Sequence, residues 1–331
     1  MRDVWRISRN ASTYKENVFV KIARDGVAGY GEAAPNVRYG EDARTAEVVI
    51  REIGPMLEGE DWFAYTRVKE IIDERIVGQN CARAAVDMAV MDWVGKSLGV
   101  GLYKMFGLDR SRAGLTSYSI GIDEIDEIKR KTMEADAYPI LKIKVGGLND
   151  EEIIEAVRSV TDKPIRVDAN EGWKDQETAV RKMEWMRTKG VEFVEQPMPA
   201  AMLEETAWVR ERVEMELVAD EAVMNAGDLP ALAGVYDGIN IKLMKAGGIQ
   251  EALRMIHAAG ALGLKVMLGC MIESSLAISA AAQLSPLAAW ADLDGNLLIK
   301  EDPFRGVEVS RGRLVLNDRP GIGAEGLWQE A

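Results

Sequence analysis

Charged residues punctuate this chain at a nearly even beat, most of them closing a short apolar run. PILKIKVGG carries Lys142 and Lys144, PIRVDAN reaches Asp168, VEFVEQP reaches Glu195, MELVADE reaches Asp220 and DGINIKL reaches Lys242, with Asp292 and Asp294 completing the series. The interval is roughly 25 residues, about one strand plus the helix that must cross back before the next strand can run parallel. That restricts the chain to a parallel sheet clothed in helices, either open and doubly wound or closed into a barrel. Strands are expected around residues 115–120, 140–145, 165–168, 191–195, 216–219, 238–242, 265–269 and 290–292. No glycine-rich phosphate loop opens any of the intervening helices. The strand count and the even spread of polar end residues favour the closed barrel, which gathers the C-terminal ends of its strands on one face.

Bulk properties narrow the partners. The 331 residues, 47% of them apolar, can build one large domain or two ordinary ones. A net charge of −13 argues against nucleic-acid or anionic-membrane partners. The start, MRDVWRISRN, has no apolar core of a signal peptide, so a cytoplasmic location is expected. The most apolar stretch, 258–284, is interrupted by Lys265 and Glu273, which suits a strand between helices better than a membrane span. Cys81 and Cys270 lack metal-ligand spacing and are expected to be buried free thiols in a reducing compartment. The one histidine, His257, lies in the helical pattern IQEALRMIHAAGALG. One histidine cannot build a Ser-His-Asp triad or a histidine-rich zinc centre, so lysine and carboxylate must carry any chemistry.

The opening block has a different grammar. Residues 18–32 read as a hairpin turning at Asp25-Gly26, followed by helical stretches AEVVIREIGPMLEG, broken at Gly54-Pro55, and WFAYTRVKEIIDERI. The long helical run CARAAVDMAVMDWVGKSLG closes at Gly99 and Gly101. An α+β unit is therefore expected over 1–112, a regular βα barrel over 113–302, and a tail of short strands over 303–331 that returns to the first block.

At the barrel mouth, alternation points Lys142 and Lys144 the same way. Their mutual repulsion, and a nearby divalent cation, would lower a lysine pKa and make a neutral amine accessible. Taken alone, such a pair is equally a rim of exposed lysines in salt bridges. Asp168, Glu195 and Asp220 end three successive strands and offer the hard oxygen donors that suit Mg²⁺, with Mn²⁺ as the substitute. Singly, each is as readily a helix cap. Lys242 ends the sixth strand, across the mouth from Lys144. Two opposed lysines around a metal can remove a proton from one face of a carbon and return it to the other. A metal that grips a carboxylate also stabilises the enediolate formed when the neighbouring α-proton leaves.

These segments together resemble the enolase superfamily, its muconate-lactonizing-enzyme subgroup, and most closely the dipeptide epimerases. The match spans nearly the whole chain through LKIKVGG (141–147), RVDANEGW (166–173), VEQPMP (194–199), ADE (219–221), INIKLMKAGGI (239–249) and DLD (292–294), with the helix 82–99 leading into the barrel. The resemblance implies a (β/α)7β modified TIM barrel under an α+β cap. It implies Mg²⁺ on Asp168, Glu195 and Asp220, with Lys144 and Lys242 as acid/base residues and Lys142 assisting Lys144 and contacting the substrate carboxylate. Lys242 is preferred to Lys245 because it closes the strand INIK, whereas Lys245 lies beyond it. By the same resemblance, Asp292 and Asp294 receive the N-terminal ammonium of a dipeptide, although DLDGN also has turn chemistry. The expected substrate is an L,L-dipeptide, and a homo-oligomer is expected of such barrels.

Two departures stand out. Where related epimerases selective for Ala-Glu can carry an arginine in the first cap loop, this chain has Asn10, with Arg6 and Arg9 nearby. The chain also opens directly at VWRISRN, so either a longer natural start or a cap short of one edge strand, and looser for it, is expected. Rival expectations are an o-succinylbenzoate synthase or N-succinylamino acid racemase, using the same lysines and metal, and a non-catalytic metal-binding scaffold.

Overall fold

A computed structural model of the chain describes residues 1–327. Eight short parallel strands form one sheet: β1 (Tyr118–Ile120), β2 (Leu141–Lys144), β3 (Ile165–Asp168), β4 (Val191–Glu195), β5 (Glu216–Ala219), β6 (Gly238–Lys242), β7 (Lys265–Gly269) and β8 (Trp290–Asp292). Each pairs with its sequence neighbour, and a parallel bridge between Thr116 and Ala291 brings the two edges together into a nearly closed barrel. The first strand is shorter than expected from the sequence. Thr116 is used in that closing bridge and Leu115 turns to pair with Arg313, so ladder geometry holds only from Tyr118.

Strand alternation builds both the core and the site. Ile143, Val167, Val194, Ala219, Ile241 and Leu268 face outward into the main apolar cluster, beneath the helices. Their neighbours face the axis, so a strand end carries an inward charge while the position two residues back fills the barrel. Phe193, Val218 and Met267 form a separate cluster there, with Trp290 packed against it and the rings of Phe193 and Trp290 4.9 Å apart. The acids thus rest on an apolar plug.

The opening block follows the expected order. The hairpin pairs Val18–Arg24 with Val27–Ala33, and Asp25 and Gly26 both adopt positive φ, as a two-residue turn requires. The helix Ala43–Ile53 gives way to a 3₁₀ turn at Gly54–Leu57, then come Tyr65–Arg75 and Asn80–Leu98. This last helix is apolar all round because it is wedged between hairpin and barrel. It approaches so closely that a Cβ on Gly31 would lie 1.8 Å from the Ala85 carbonyl oxygen. Trp5–Arg6 and Ala11–Ser12 pair as a separate two-stranded ribbon.

The tail returns as expected: Ile322 donates its N–H to Asp92, Leu102 to the Gly321 carbonyl, and Phe304 stacks 5.5 Å from Phe19. The last four residues of the expected 303–331 segment lie outside the described residues. His257 sits exposed on the helix Ile249–Ala261. Among the described residues no helix is long and apolar enough to cross a membrane. Of the two cysteines only Cys81 is buried. Cys270, expected to be buried too, is half-exposed because it follows β7 into the cavity wall.

Candidate active site

Asp168, Glu195 and Asp220 end adjacent strands in register, Asp168 opposite Glu195 and Glu195 opposite Val218. One carboxylate oxygen from each lies within 4.8 Å of the others, and all three side chains are buried. Three like charges cannot gather away from water without cations, and four lysines supply them. Lys144 Nζ is 2.5 Å from Asp168, Lys242 Nζ is 2.8 Å from Asp220 and Lys245 Nζ is 2.5 Å from Asp220. Lys142 lies among three carboxylates: 2.6 Å from Glu195, 2.6 Å from Asp292 and 3.3 Å from Asp168.

These pairs set the protonation states. Burial would raise Asp168, but Lys144 and Lys142 outweigh it and hold the carboxyl down at about 2. Burial is likewise overcome at Asp220, chiefly by Lys242 and Lys245, which leaves it well below the usual range. Glu195 goes the other way, pushed up to about 7 by burial and then by the charge of Asp168. The lysines correct an expectation. Mutual repulsion was expected to lower their pKa values, yet burial of Lys142 is outweighed by Asp292, Glu195 and Asp168 and its pKa lies well above normal. Lys242 is raised too, since Asp220 and Glu195 outweigh its burial. Carboxylates surround these amines, so attraction dominates the repulsion between lysines.

The residues present fit a divalent ion. All three donors are oxygens on a rigid rim, and Glu195 Oε2 makes no hydrogen bond although it lies beside the Lys142 ammonium. Outer contacts orient the donors: Asn240 donates to Glu195 Oε1 at 2.8 Å, and the Asn170 N–H to Asp168 Oδ1 at 2.9 Å. Gln196 at φ 37° turns its amide so that Oε1 accepts the Asp220 N–H.

Lys144 and Lys242 close β2 and β6, four steps apart in an eight-strand ring, with β3, β4 and β5 between them on one side. Both line a cavity of about 140 Å³ under the cap loops, together with Asp220, Asp292, Asp294 and Lys142. Lys245, by contrast, is sealed beneath Asp220, where burial lowers its pKa. Asp292 accepts from the Ser117 hydroxyl at 2.7 Å and Asp294 from the Ser119 N–H at 2.6 Å. Burial and the neighbouring Asp292 push Asp294 up to about 7.

Several residues at this mouth carry no role in the sequence reading. Glu171, inside RVDANEGW, joins two cap loops to the barrel. Its carboxylate takes Arg38 through two 3.0 Å hydrogen bonds, Arg9 at 3.0 Å and the Ala200 N–H at 2.9 Å. Arg9 reaches on to Glu221 at 2.6 Å, and the Asn170 carbonyl accepts from both Ser8 and Arg9. Asn170 and Glu171 adopt φ of 44° and 64°, which aims this loop back at the cap. The only sequence signal was the pair of glutamates just past the metal-site acids, in DANE and ADE.

Comparison with known proteins extends over the whole chain. Residues 1–107 match the family model for the mandelate racemase / muconate lactonizing enzyme N-terminal domain, and residues 124–330 match the enolase C-terminal domain-like model. An L-Ala-D/L-Glu epimerase of Bacteroides thetaiotaomicron is 44% identical over 98% of this chain and 84% of its own. An L-Ala-D/L-amino acid epimerase of Pedosphaera parvula is 37% identical, covering 96% of this chain and 93% of that one. The crystal structure of a dipeptide epimerase from Cytophaga hutchinsonii, complexed with Mg and D-Ala-L-Val, superposes with a TM-score of 0.93 at 28% identity, over 98% of this chain and 92% of that one.

Proposed function

Because the chain belongs to the mandelate racemase / muconate lactonizing enzyme family of the enolase superfamily, and within it to the dipeptide epimerases, we propose that it inverts the α-carbon of the second residue of an L,L-dipeptide. The observation that carries this is the pair Lys144 and Lys242, four strands apart around a cavity with a carboxylate triad between them. One amine enters the cycle neutral and takes the α-proton, while the other enters as ammonium and delivers a proton to the opposite face. Asp168, Glu195 and Asp220 would hold Mg²⁺, or Mn²⁺ in its place, and the bound ion supplies positive charge against the charge developing on the substrate carboxylate.

Lys142 stands beside the triad and presents its ammonium to that same carboxylate. Asp292 and Asp294, facing the cavity on the far strand, receive the dipeptide's ammonium, a cation suited to paired carboxylates. By this reading the cap (1–112, completed by the tail from 303) encloses the substrate while the barrel (113–302) does the chemistry. The protein works in the cytoplasm as a homo-oligomer.

Proton NMR in D₂O with Mg²⁺ and a mixed set of L,L-dipeptides tests the proposal. Deuterium should enter at the α-carbon of the second residue as the L,D diastereomer appears. Exchange confined to N-succinylated amino acids would replace the epimerase reading with a succinyl-racemase one.

A further inference from the structure

Three of the four bonds at the reacting carbon are spoken for. The proton lies along the line between Lys144 and Lys242, the carboxylate faces the triad and Lys142, and the amide nitrogen leads towards Asp292 and Asp294. The side chain of the second residue is left pointing out of the barrel, at the cap loops over the mouth.

That part of the cavity is walled mostly by neutral groups, among them Asn10, Val37, Ile272 and Leu298. Five cations line the cavity: Arg9, Lys15, Lys142, Lys144 and Lys242. Four are held in ion pairs with Glu171 and Glu221, with Glu195 and Asp292, with Asp168 and with Asp220. The two arginines flanking Asn10 in the sequence are also unavailable, since Arg9 is clamped and Arg6 leans on Asp123 at 3.8 Å. Lys15 alone among these five has no carboxylate partner among the described residues. Although the residue is exposed, its ammonium is far enough from solvent for burial to lower its pKa, with no opposing charge to restore it. In a chain of net charge −13, a partly desolvated cation at the substrate entrance without a counter-charge is a receptor waiting for one.

Its backbone is fixed on both sides. Ser12 donates to the Tyr14 carbonyl, and Asn17 donates to Glu32 at 2.8 Å and to the Ile272 carbonyl at 3.0 Å. From this placement we infer that Lys15 is the residue that selects the dipeptide's second side chain, pairing its ammonium with a carboxylate there. Val37, Ile272 and Leu298 flank the aliphatic stem that carries the acid. The inference rests on the epimerase reading and supplies its side-chain preference.

The test compares L-Ala-L-Glu, L-Ala-L-Gln and L-Ala-L-Leu as substrates of the Mg²⁺-loaded full chain, in wild type, Lys15→Met and Lys15→Arg. Wild type should favour L-Ala-L-Glu. Lys15→Met should lose roughly 10- to 100-fold in kcat/KM for that substrate, through KM, with the other two changed less than about threefold. Lys15→Arg should restore most of the loss, and calorimetric binding of L-Ala-L-Glu should follow KM. A uniform fall across all three substrates, no fall at all, or a wild-type preference for L-Ala-L-Leu would overturn the assignment of Lys15 while leaving the epimerase intact. Failure of wild type to exchange any dipeptide would instead overturn the epimerase reading, and this inference with it.

Discussion

At the scale of single residues, the division of labour between Lys144 and Lys242 makes a prediction that depends on which face each lysine serves. Lys242 closes β6 and lines the cavity, whereas Lys245, three residues on, is buried under Asp220 and contacts the Asn240 carbonyl. Replacing Lys242 with Gln should cut epimerisation by about 10³-fold, within the range for loss of a positioned acid or base. One diastereomer should nevertheless still exchange its α-proton in D₂O through Lys144. Lys144→Gln should leave the mirror pattern, exchange surviving from the other diastereomer alone. Exchange from both diastereomers in either variant, followed by NMR, would remove that lysine from the mechanism. Lys245→Met should show neither pattern, because its amine never meets the cavity. Its loss should instead appear as weaker metal binding, with Asp220 left less well held.

At the scale of elements, the cap reaches the active site through two loops that converge on one carboxylate. Glu171 holds Arg9 from the ribbon loop and Arg38 from the loop after the hairpin, and its backbone follows Asn170 in the left-handed region directly after β3. The metal-site strand and both substrate-facing loops are thereby tied at one corner. Both arginines are partly exposed, so the ion pairs contribute little to global stability. Glu171→Gln should accordingly leave the melting temperature nearly unchanged while raising KM roughly 5- to 10-fold and speeding amide exchange over residues 5–12. The acid side follows from the same contacts. Burial would raise the pKa of Glu171, but the hydrogen bond from Arg38 outweighs it and holds the carboxyl below its usual 4.5. The clamp is therefore complete above that value and is lost as pH falls through the depressed one. Hydrogen exchange that is equally slow in Glu171→Gln would show that the loops are held by something else.

At the scale of the whole molecule, the sequence was most informative where one strand states its own rule. The strand ends, the inward parity of Lys142 and Lys144, the hairpin turn at Asp25-Gly26 and the long buried helix are all local patterns. The corner at Glu171 was not legible, because Arg9, Arg38 and Glu171 come from three loops whose meeting depends on how the cap sits on the barrel. The lysine pKa values failed for a related reason: repulsion between neighbours in sequence is visible, whereas the carboxylates converging from four other strands are not. Another such junction joins the cap hairpin to the barrel. Glu32 accepts the Ser274 N–H at 2.9 Å, the Asn17 amide at 2.8 Å and the Ala277 N–H at 3.3 Å, at the start of the helix Ser275–Ala282. Beside it lies Glu273, whose Oε1 accepts the Met271 N–H at 2.7 Å. Burial, then the charge of Glu32, pushes Glu273 up to about 8, against a smaller opposing effect from Lys242. A carboxyl at about 8 in the folded chain and near 4.5 when unfolded binds more protons folded throughout that interval. Its contribution to stability is therefore complete below about 4.5, declines as pH rises, and is gone above about 8. The loss is on the order of a few kcal/mol, since each tenfold change in proton affinity is worth about 1.4 kcal/mol. Glu273→Gln keeps an oxygen for the Met271 N–H and cannot ionise. Urea unfolding should therefore find it equal to wild type near pH 5 and more stable near pH 8.5. Parallel stability curves for the two proteins across that range would mean that Glu273 is charged in the native state and that Glu32 and its neighbours tolerate the charge.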